Sequence, residues 1–303
     1  MSPDPLPAPL RRSVFFVPGS EPRKLEKARG LPADTLLLDL EDAVAPAEKD
    51  RARALVAELL REAAARGPEL AVRVNPTSTP WFRADLEAAV AAGASAIVLP
   101  KAESAAQIAA VAALIDGLEA GRDARASGPV RLIPLVETAR GIADVATLPA
   151  AAQRIDALCF GHADFSRDMG LAEADPNGPV VLHARCALSI AARAAGRAAI
   201  DTVCLDVRDA GAVRREAELG LRLGFEGKLC IHPMQIEIVN SVYTPSCEQI
   251  EFARRVMETA ARAEAEGLGV FTVDGKMVDA PLIAAQRRIL DRARRAGALS
   301  TEE

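Results

Sequence analysis

Eight short, mostly apolar runs recur along this chain, and each stops at a glycine, a proline or a polar side chain. They are Val14–Val17 before Pro18-Gly19, Leu36–Leu40 before Glu41-Asp42, Ala71–Val74 before Asn75, and Ala96–Leu99 before Pro100-Lys101. The series continues with Leu132–Val136 before Glu137-Thr138, Ala157–Phe160 before Gly161-His162, Ala198–Ile200 before Asp201, and Lys228–Ile231 before His232-Pro233. Between them lie stretches such as Ala47–Arg66, Phe82–Ala92, Ala105–Glu119, Pro179–Gly196 and Ala210–Leu223, with apolar residues at helical spacing. A strand apolar along its whole length is covered on both faces, which is the situation of a parallel sheet wrapped by helices. Eight such units in about 230 residues predict an α/β fold, a (β/α)8 TIM barrel. The alternative, an open doubly wound sheet, would be expected to carry GxGxxG or GxxxxGK[ST], and neither occurs.

Beyond Pro245 the pattern changes: a helix over Cys247–Glu266, a short hairpin around Asp274-Gly275 and a final helix over Ala280–Ala296. The expected organisation is a disordered segment over 1–10, a barrel over 11–244 and a C-terminal helical extension and lid over 245–303. Aromatic residues make up 3% of the chain and the net charge is −5, so it has neither the stacking platforms nor the basic field that nucleic acid requires. No apolar run reaches membrane-spanning length, and the Pro-rich start does not read as a signal peptide. Five cysteines without a CxxC pair read as free thiols in a reducing cytoplasm. Only six lysines occur, so those in motif-like places, Lys101 and Lys228, stand out.

In a barrel of this kind chemistry sits at the C-terminal ends of the strands. Here those ends carry Asp39, Glu41, Asp42, Arg73, Asn75, Lys101, Glu137, Asp164 and His232. Any one of them could be a helix cap or a solvated loop group; together they converge on one mouth. Glu137 and Asp164 follow consecutive strands, and two carboxylates without a His/Cys ligand pattern suit a hard cation such as Mg²⁺. An arginine in a buried strand must point into the mouth, where a substrate carboxylate or enolate oxygen would pair with Arg73. Lys101 could form a Schiff base, but an ion pair with one of the surplus carboxylates is the preferred reading. His232 is expected either to hydrogen-bond to Glu41 or Asp42 or to transfer a proton. His183 is expected on a helix and His162 in a glycine loop.

These segments also resemble a known family. Arg12-Ser13-Val14-Phe15-Phe16-Val17-Pro18-Gly19, Asp39-Leu40-Glu41-Asp42, Arg73-Val74-Asn75 and Leu99-Pro100-Lys101 stand in the order of the citrate lyase β-subunit-like family of the HpcH/HpaI aldolase superfamily. So do Glu137-Thr138, Phe160-Gly161-His162-Ala163-Asp164 and Gly224 through Pro233. The tail Asp274–Pro281 resembles the lid of malyl-CoA and citramalyl-CoA lyases. The resemblance spans roughly residues 11 to 295, with one departure at His162-Ala163 and another in the Asp201-Thr202-Val203 loop.

The resemblance implies a Mg²⁺-dependent carbon–carbon lyase that cleaves or forms a 3-hydroxyacyl-CoA, giving acetyl-CoA and a 2-oxo acid. It implies Glu137 and Asp164 as metal ligands, with Glu137 also touching substrate, and Arg73 on the substrate carbonyl. It implies Asp279 as an acid/base that reaches a neighbouring subunit of a homotrimer or hexamer. Glu41, Asp42, Lys101 and His232 would support them. Asp279 can also be the N-cap of the last helix, ahead of Pro281. The lid leans toward a CoA-thioester lyase over a carrier-dependent citrate lyase subunit. Arg11, Arg12, Arg23, Lys24 and Lys27, clustered around the first βα loop, are candidates for the CoA phosphates, and a solvated helix face would explain them equally well. The rival readings are a citrate lyase β subunit, a CoA-independent 2-oxo acid aldolase and a non-catalytic subunit of a lyase complex.

Overall fold

Strands apolar along most of their length must bury both faces, and eight of them close on themselves here. In the computed structural model, residues 9–62, 67–120, 128–265 and 267–299 are described. The strands are β1 Ser13–Pro18, β2 Thr35–Asp39, β3 Glu69–Arg73, β4 Ala96–Leu99, β5 Arg131–Val136, β6 Ala157–Phe160, β7 Ala198–Asp201 and β8 Gly227–Cys230. They form a closed barrel in sequence order, every neighbouring pair parallel. At the closing seam the Lys228 amide donates to Arg12 O at 2.8 Å. A Cβ on Gly227 would stand 1.8 Å from Arg11 O, so only glycine lets β8 approach β1 there.

The helices are α1 Pro22–Ala28, α2 Lys49–Glu62, α3 Phe82–Ala92, α4 Ala105–Glu119, α5 Ala139–Ala143, α6 His162–Asp168, α7 Pro179–Ala194, α8 Ala210–Arg222, α9 Pro233–Tyr243, α10 Cys247–Ala265 and α11 Ala280–Arg295. α2 starts later than the expected Ala47, after a 3₁₀ turn over Pro46–Glu48. Residues 63–66, the first eight residues of the expected disordered segment, Glu266 and residues 300–303 lie outside the described residues. α1, α5, α6 and α9 were not expected; His162, read as a loop residue, is the first residue of α6.

Side chains alternate between the two faces of a strand. One buried cluster contains Leu37, Ala71, Val98, Leu135, Cys159, Ile200 and Leu229, one from each of seven strands, and fills the barrel interior. Two residues beyond these, on the same face, come Asp39, Arg73, Glu137, Gly161, Thr202 and Ile231. Two residues before Leu37, Ala71 and Ile133 come Thr35, Glu69 and Arg131, which face the opposite end. There Arg11 donates to both oxygens of Glu69 (2.6 and 2.8 Å) and both of Asp156 (2.8 and 3.0 Å). Thr35 bonds to Glu69 at 2.9 Å and Arg131 pairs with Asp156 at 2.9 Å, completing an ionic plug.

The chain divides into two compact units, Met1–Asn240 and Ser241–Glu303. The second contains α10, α11 and an antiparallel hairpin of β9 Phe271–Val273 and β10 Lys276–Val278. Ile250, Ala253, Leu290, Ala293 and Leu299 form one of its apolar clusters, between α10 and α11. No helix among the described residues is long and apolar enough to cross a membrane.

Candidate active site

A cavity of about 410 Å³ opens where the strands end. Phe16, Leu135, Val203 and Leu229 give it apolar walls, and Asp39, Asp42, Arg73, Glu137, Asp164 and Thr202 supply its polar groups. The register places Asp39 directly opposite Arg73. Arg73 Nε and Nη2 each donate to Asp39 at 2.7 Å, Nη1 pairs with Glu41 at 2.9 Å, and the guanidinium lies 4.8 Å from the Phe16 ring centroid. The partner expected for Arg73 was a substrate oxygen; the folded chain supplies Asp39 first. A buried guanidinium without such a partner would cost several kcal/mol. Burial works against the Asp39 carboxylate, yet Arg73 and the amides of Glu41 and Ala43 outweigh it and hold its pKa below the ordinary value.

Lys101 has a left-handed backbone, φ 50°, unusual for a residue with a side chain. That twist turns its amide onto Glu137 Oε1 (3.0 Å) while its ammonium reaches Glu41. Burial opposes that charge, but the bond to Glu41 raises the Lys101 pKa above its usual value. Lys101 is thus held as an ammonium ion, as the ion-pair reading expected. The Glu41 loop is fixed from behind by Lys49, buried against Trp81, whose Nζ donates to Leu40 O and Glu41 O, both at 2.7 Å. Asn75 does not line the cavity: its Nδ2 donates to Leu40 O at 2.9 Å and to Asp85 at 2.6 Å. Lys49 and Asp85 were missed in the sequence. The signal for Lys49 was its rarity, one of six lysines, placed just after the Asp39–Asp42 motif.

Glu137 follows β5 and is 2% exposed. Burial, then the nearby Glu41 charge, push its carboxyl up to about 8; Arg73 pulls it down and Asp164 raises it further. Asp164 lies in the first turn of α6, and its partner is the exposed Arg167. Such an exposed pair is worth about 1 kcal/mol or less. Arg73 and Lys101 therefore neutralise Asp39 and Glu41, whereas Glu137 and Asp164 face the cavity without a buried cation. That charge deficit, and a glutamate this reluctant to ionise, fit a bound divalent ion. Among the described residues no group of three or more His, Cys, Asp or Glu is arranged to hold a metal. Two carboxylates suit Mg²⁺, which keeps positions for water and substrate oxygens.

Several expected residues sit elsewhere. His232 is exposed, and its Nδ1 accepts from the Met234 amide at 3.3 Å, not from a contact with Glu41 or Asp42. Arg11 and Arg12 precede β1, so they lie at the opposite end of the barrel, Arg11 in the ionic plug and Arg12 paired with Asp34 at 2.8 Å. They are not near the first strand-to-helix loop, which corrects their candidacy for CoA phosphates. Arg23, Lys24 and Lys27 are exposed on α1, which follows that loop. Lys228 has the opposite parity to Leu229 and faces the helices, 3.2 Å from Glu216 and 3.8 Å from Asp201. Asp279, in the second unit, is the N-cap of α11, with Oδ1 accepting from the Leu282 amide at 3.1 Å.

Residues 12–233 match the family HpcH/HpaI aldolase/citrate lyase, and residues 185–298 match a carbon–carbon bond lyase family of the TIM-barrel fold. Citrate lyase subunit beta of Haemophilus influenzae is 38% identical over 94% of this chain and 97% of its own. A (3S)-malyl-CoA thioesterase of Cereibacter sphaeroides is 40% identical over 93% of this chain and 94% of its own. Among solved structures, the CitE protein of Mycobacterium tuberculosis in complex with magnesium, acetoacetate and coenzyme A superimposes with a TM-score of 0.76 at 34% identity, covering 95% of this chain and 98% of that one. A citrate lyase subunit that spans 94% of the chain overturns the expectation that the tail separates CoA-thioester lyases from citrate lyase subunits. With the barrel, the acidic mouth and these relatives in agreement, the chain belongs to the HpcH/HpaI aldolase/citrate lyase family and is an enzyme of the carbon–carbon lyase class.

Proposed function

We propose that this protein is a Mg²⁺-dependent lyase that cleaves, or in reverse forms, a 3-hydroxyacyl-CoA such as malyl-CoA or citramalyl-CoA, with acetyl-CoA and a 2-oxo acid as products. The observation that carries the reading is the pair Glu137 and Asp164, left without a buried cation in a cavity whose other buried charges are paired. These two carboxylates would hold the metal. When bound, Mg²⁺ supplies Lewis-acid stabilisation of charge developing on substrate oxygen, worth several kcal/mol.

Arg73 has five N–H groups and donates two of them to Asp39, with Nη1 in ion-pair range of Glu41. Those that remain would bind the thioester carbonyl oxygen, where negative charge gathers as the carbon–carbon bond breaks. Asp279 is assigned the substrate hydroxyl proton, on the family resemblance, from a neighbouring subunit of a homotrimer or hexamer. The hydroxyl carbon becomes the carbonyl of the departing 2-oxo acid, and the enolate left on the thioester takes a proton to give acetyl-CoA. Positioned proton transfer contributes roughly 10²–10⁴-fold. Arg23, Lys24 and Lys27 would meet the CoA phosphates.

The test is a panel of malyl-CoA, citramalyl-CoA and free hydroxy acids with the purified protein, following acetyl-CoA and free CoA. Turnover of a CoA ester that stops with EDTA and returns with Mg²⁺ is expected. EDTA-resistant activity trapped by borohydride on Lys101 would refute it. Asp279→Asn keeps a good N-cap and should lose activity without loss of stability. The citrate lyase β relatives favour a second reading, a subunit that works only in a complex; a homomer active on its own excludes it. Free CoA release would identify the thioesterase variant.

A further inference from the structure

Asp164 stands in the first turn of α6, a helix that lacks a cap of its own. Its N-cap residue is Gly161, which has no side chain to accept from the first amides of the helix. The hydroxyl of Thr202, immediately after β7, takes that place from the strand next to β6. Its Oγ1 accepts from the His162 amide at 3.0 Å and lies 2.6 Å from His162 Nδ1. His162 and Thr202 are both fully buried. A hydroxyl has one hydrogen and two lone pairs, so it can accept from the amide and share a hydrogen with the ring at once; a methyl can do neither.

Thr202 itself is rigidly mounted. Asp201, its neighbour, receives two bonds from Arg185, at 2.7 and 3.1 Å, and both residues are completely buried. Two residues on, Cys204 O accepts from Gln235 at 2.9 Å. On its other side α6 is tied to β5, where the Gly161 amide donates to Val136 O at 3.1 Å, next to Glu137.

We propose that Thr202 is a positioning residue for the metal site: it caps α6 from β7 and so sets where Asp164 stands relative to Glu137. The inference rests on Glu137 and Asp164 holding the metal. Residues that orient a metal ligand typically change affinity 10–100-fold when removed.

The experiment measures Mn²⁺ binding to the full chain by electron paramagnetic resonance, with no substrate present. Thr202→Val, which keeps the shape and loses the hydroxyl, should weaken Mn²⁺ by about 10-fold or more. Thr202→Ser should bind within about threefold of wild type on the same scale. Thr202→Ala, which adds no bulk, is the parallel variant should the valine form not fold. A hydroxyl that mattered only for stability would lower the melting temperature and leave the Mn²⁺ affinity of the folded protein unchanged. Wild-type affinity in Thr202→Val or Thr202→Ala overturns the proposal, as does a serine variant as weak as the valine one. Glu137→Gln separates the two levels of the argument. If it binds Mn²⁺ as wild type does, the metal site itself is wrong; if it loses Mn²⁺ while Thr202→Val and Thr202→Ala do not, only the role of Thr202 is wrong.

Discussion

Without metal, the protein should lose stability as the pH rises from 5 to 8, and Glu137→Gln should remove the share of that loss that Glu137 causes, leaving the share of Glu41, whose carboxyl burial also raises. Burial, reinforced by Glu41 and Asp164 and opposed by Arg73, pushes the Glu137 carboxyl up to about 8. In the unfolded chain a glutamate ionises near about 4.3. The folded state therefore holds the proton more tightly, and the stability from this group is largest below the unfolded value and falls as pH climbs through the folded one. At about 1.4 kcal/mol per pH unit, the deficit is roughly 3–4 kcal/mol at pH 7 and about 5 kcal/mol once both states are ionised. Urea unfolding in excess EDTA at pH 5, 6, 7 and 8 measures it, read by the fluorescence of the single tryptophan, Trp81, which belongs to the barrel unit. The gap between Glu137→Gln and wild type should widen by about 3 kcal/mol over that range. Saturating Mg²⁺ should reverse the trend, because metal binding requires the ionised carboxylate and stabilises the state that holds it. Parallel pH profiles for wild type and Glu137→Gln would refute the argument that burial keeps this carboxyl protonated.

Gly161→Ala tests the close approach of α6 to Glu137. Its φ of −114° is ordinary for alanine, but the new Cβ would stand 2.7 Å from Glu137 Oε2 and 2.9 Å from Glu137 Cβ. A loss of about 1–3 kcal/mol in urea unfolding is expected, with weaker Mg²⁺ binding by calorimetry. Gly196→Ala is the control: its φ of 67° makes alanine strained with nothing within 4 Å, so stability should fall while Mg²⁺ affinity holds. At the other end of the barrel, Arg11→Ala leaves buried Glu69 without a cation, while Asp156 keeps Arg131, and should cost about 3–5 kcal/mol. A melting temperature within a degree or two of wild type would mean that water replaces the guanidinium.

The eight strands were legible because each is a short apolar run ended by a polar or turn-forming residue, and their observed boundaries lie within three residues of those runs. α1, α5 and α6 were not, since helices of five to seven residues are too short for helical periodicity to show. Alternation along each strand was also readable: counting two residues on from Leu37, Ala71, Leu135 and Ile200 reaches Asp39, Arg73, Glu137 and Thr202. The same count puts Lys228 on the helix side, although its rarity had made it stand out.

What the sequence determined by itself was the parallel barrel and the acidic character of its mouth, because burial on both faces and the period of two are local properties of the chain. Which charges neutralise which was decided only by the closed sheet. Asp39 and Arg73 are 34 residues apart, and Glu41 and Lys101 are 60 apart. Their pairing depends on register and on one left-handed residue, and no local pattern records either. By pairing Arg73 and Lys101 with Asp39 and Glu41 the tertiary structure leaves Glu137 and Asp164 without a buried cation of their own, and by bringing Thr202 to the start of α6 it supplies the cap that the Gly161-His162 sequence lacks.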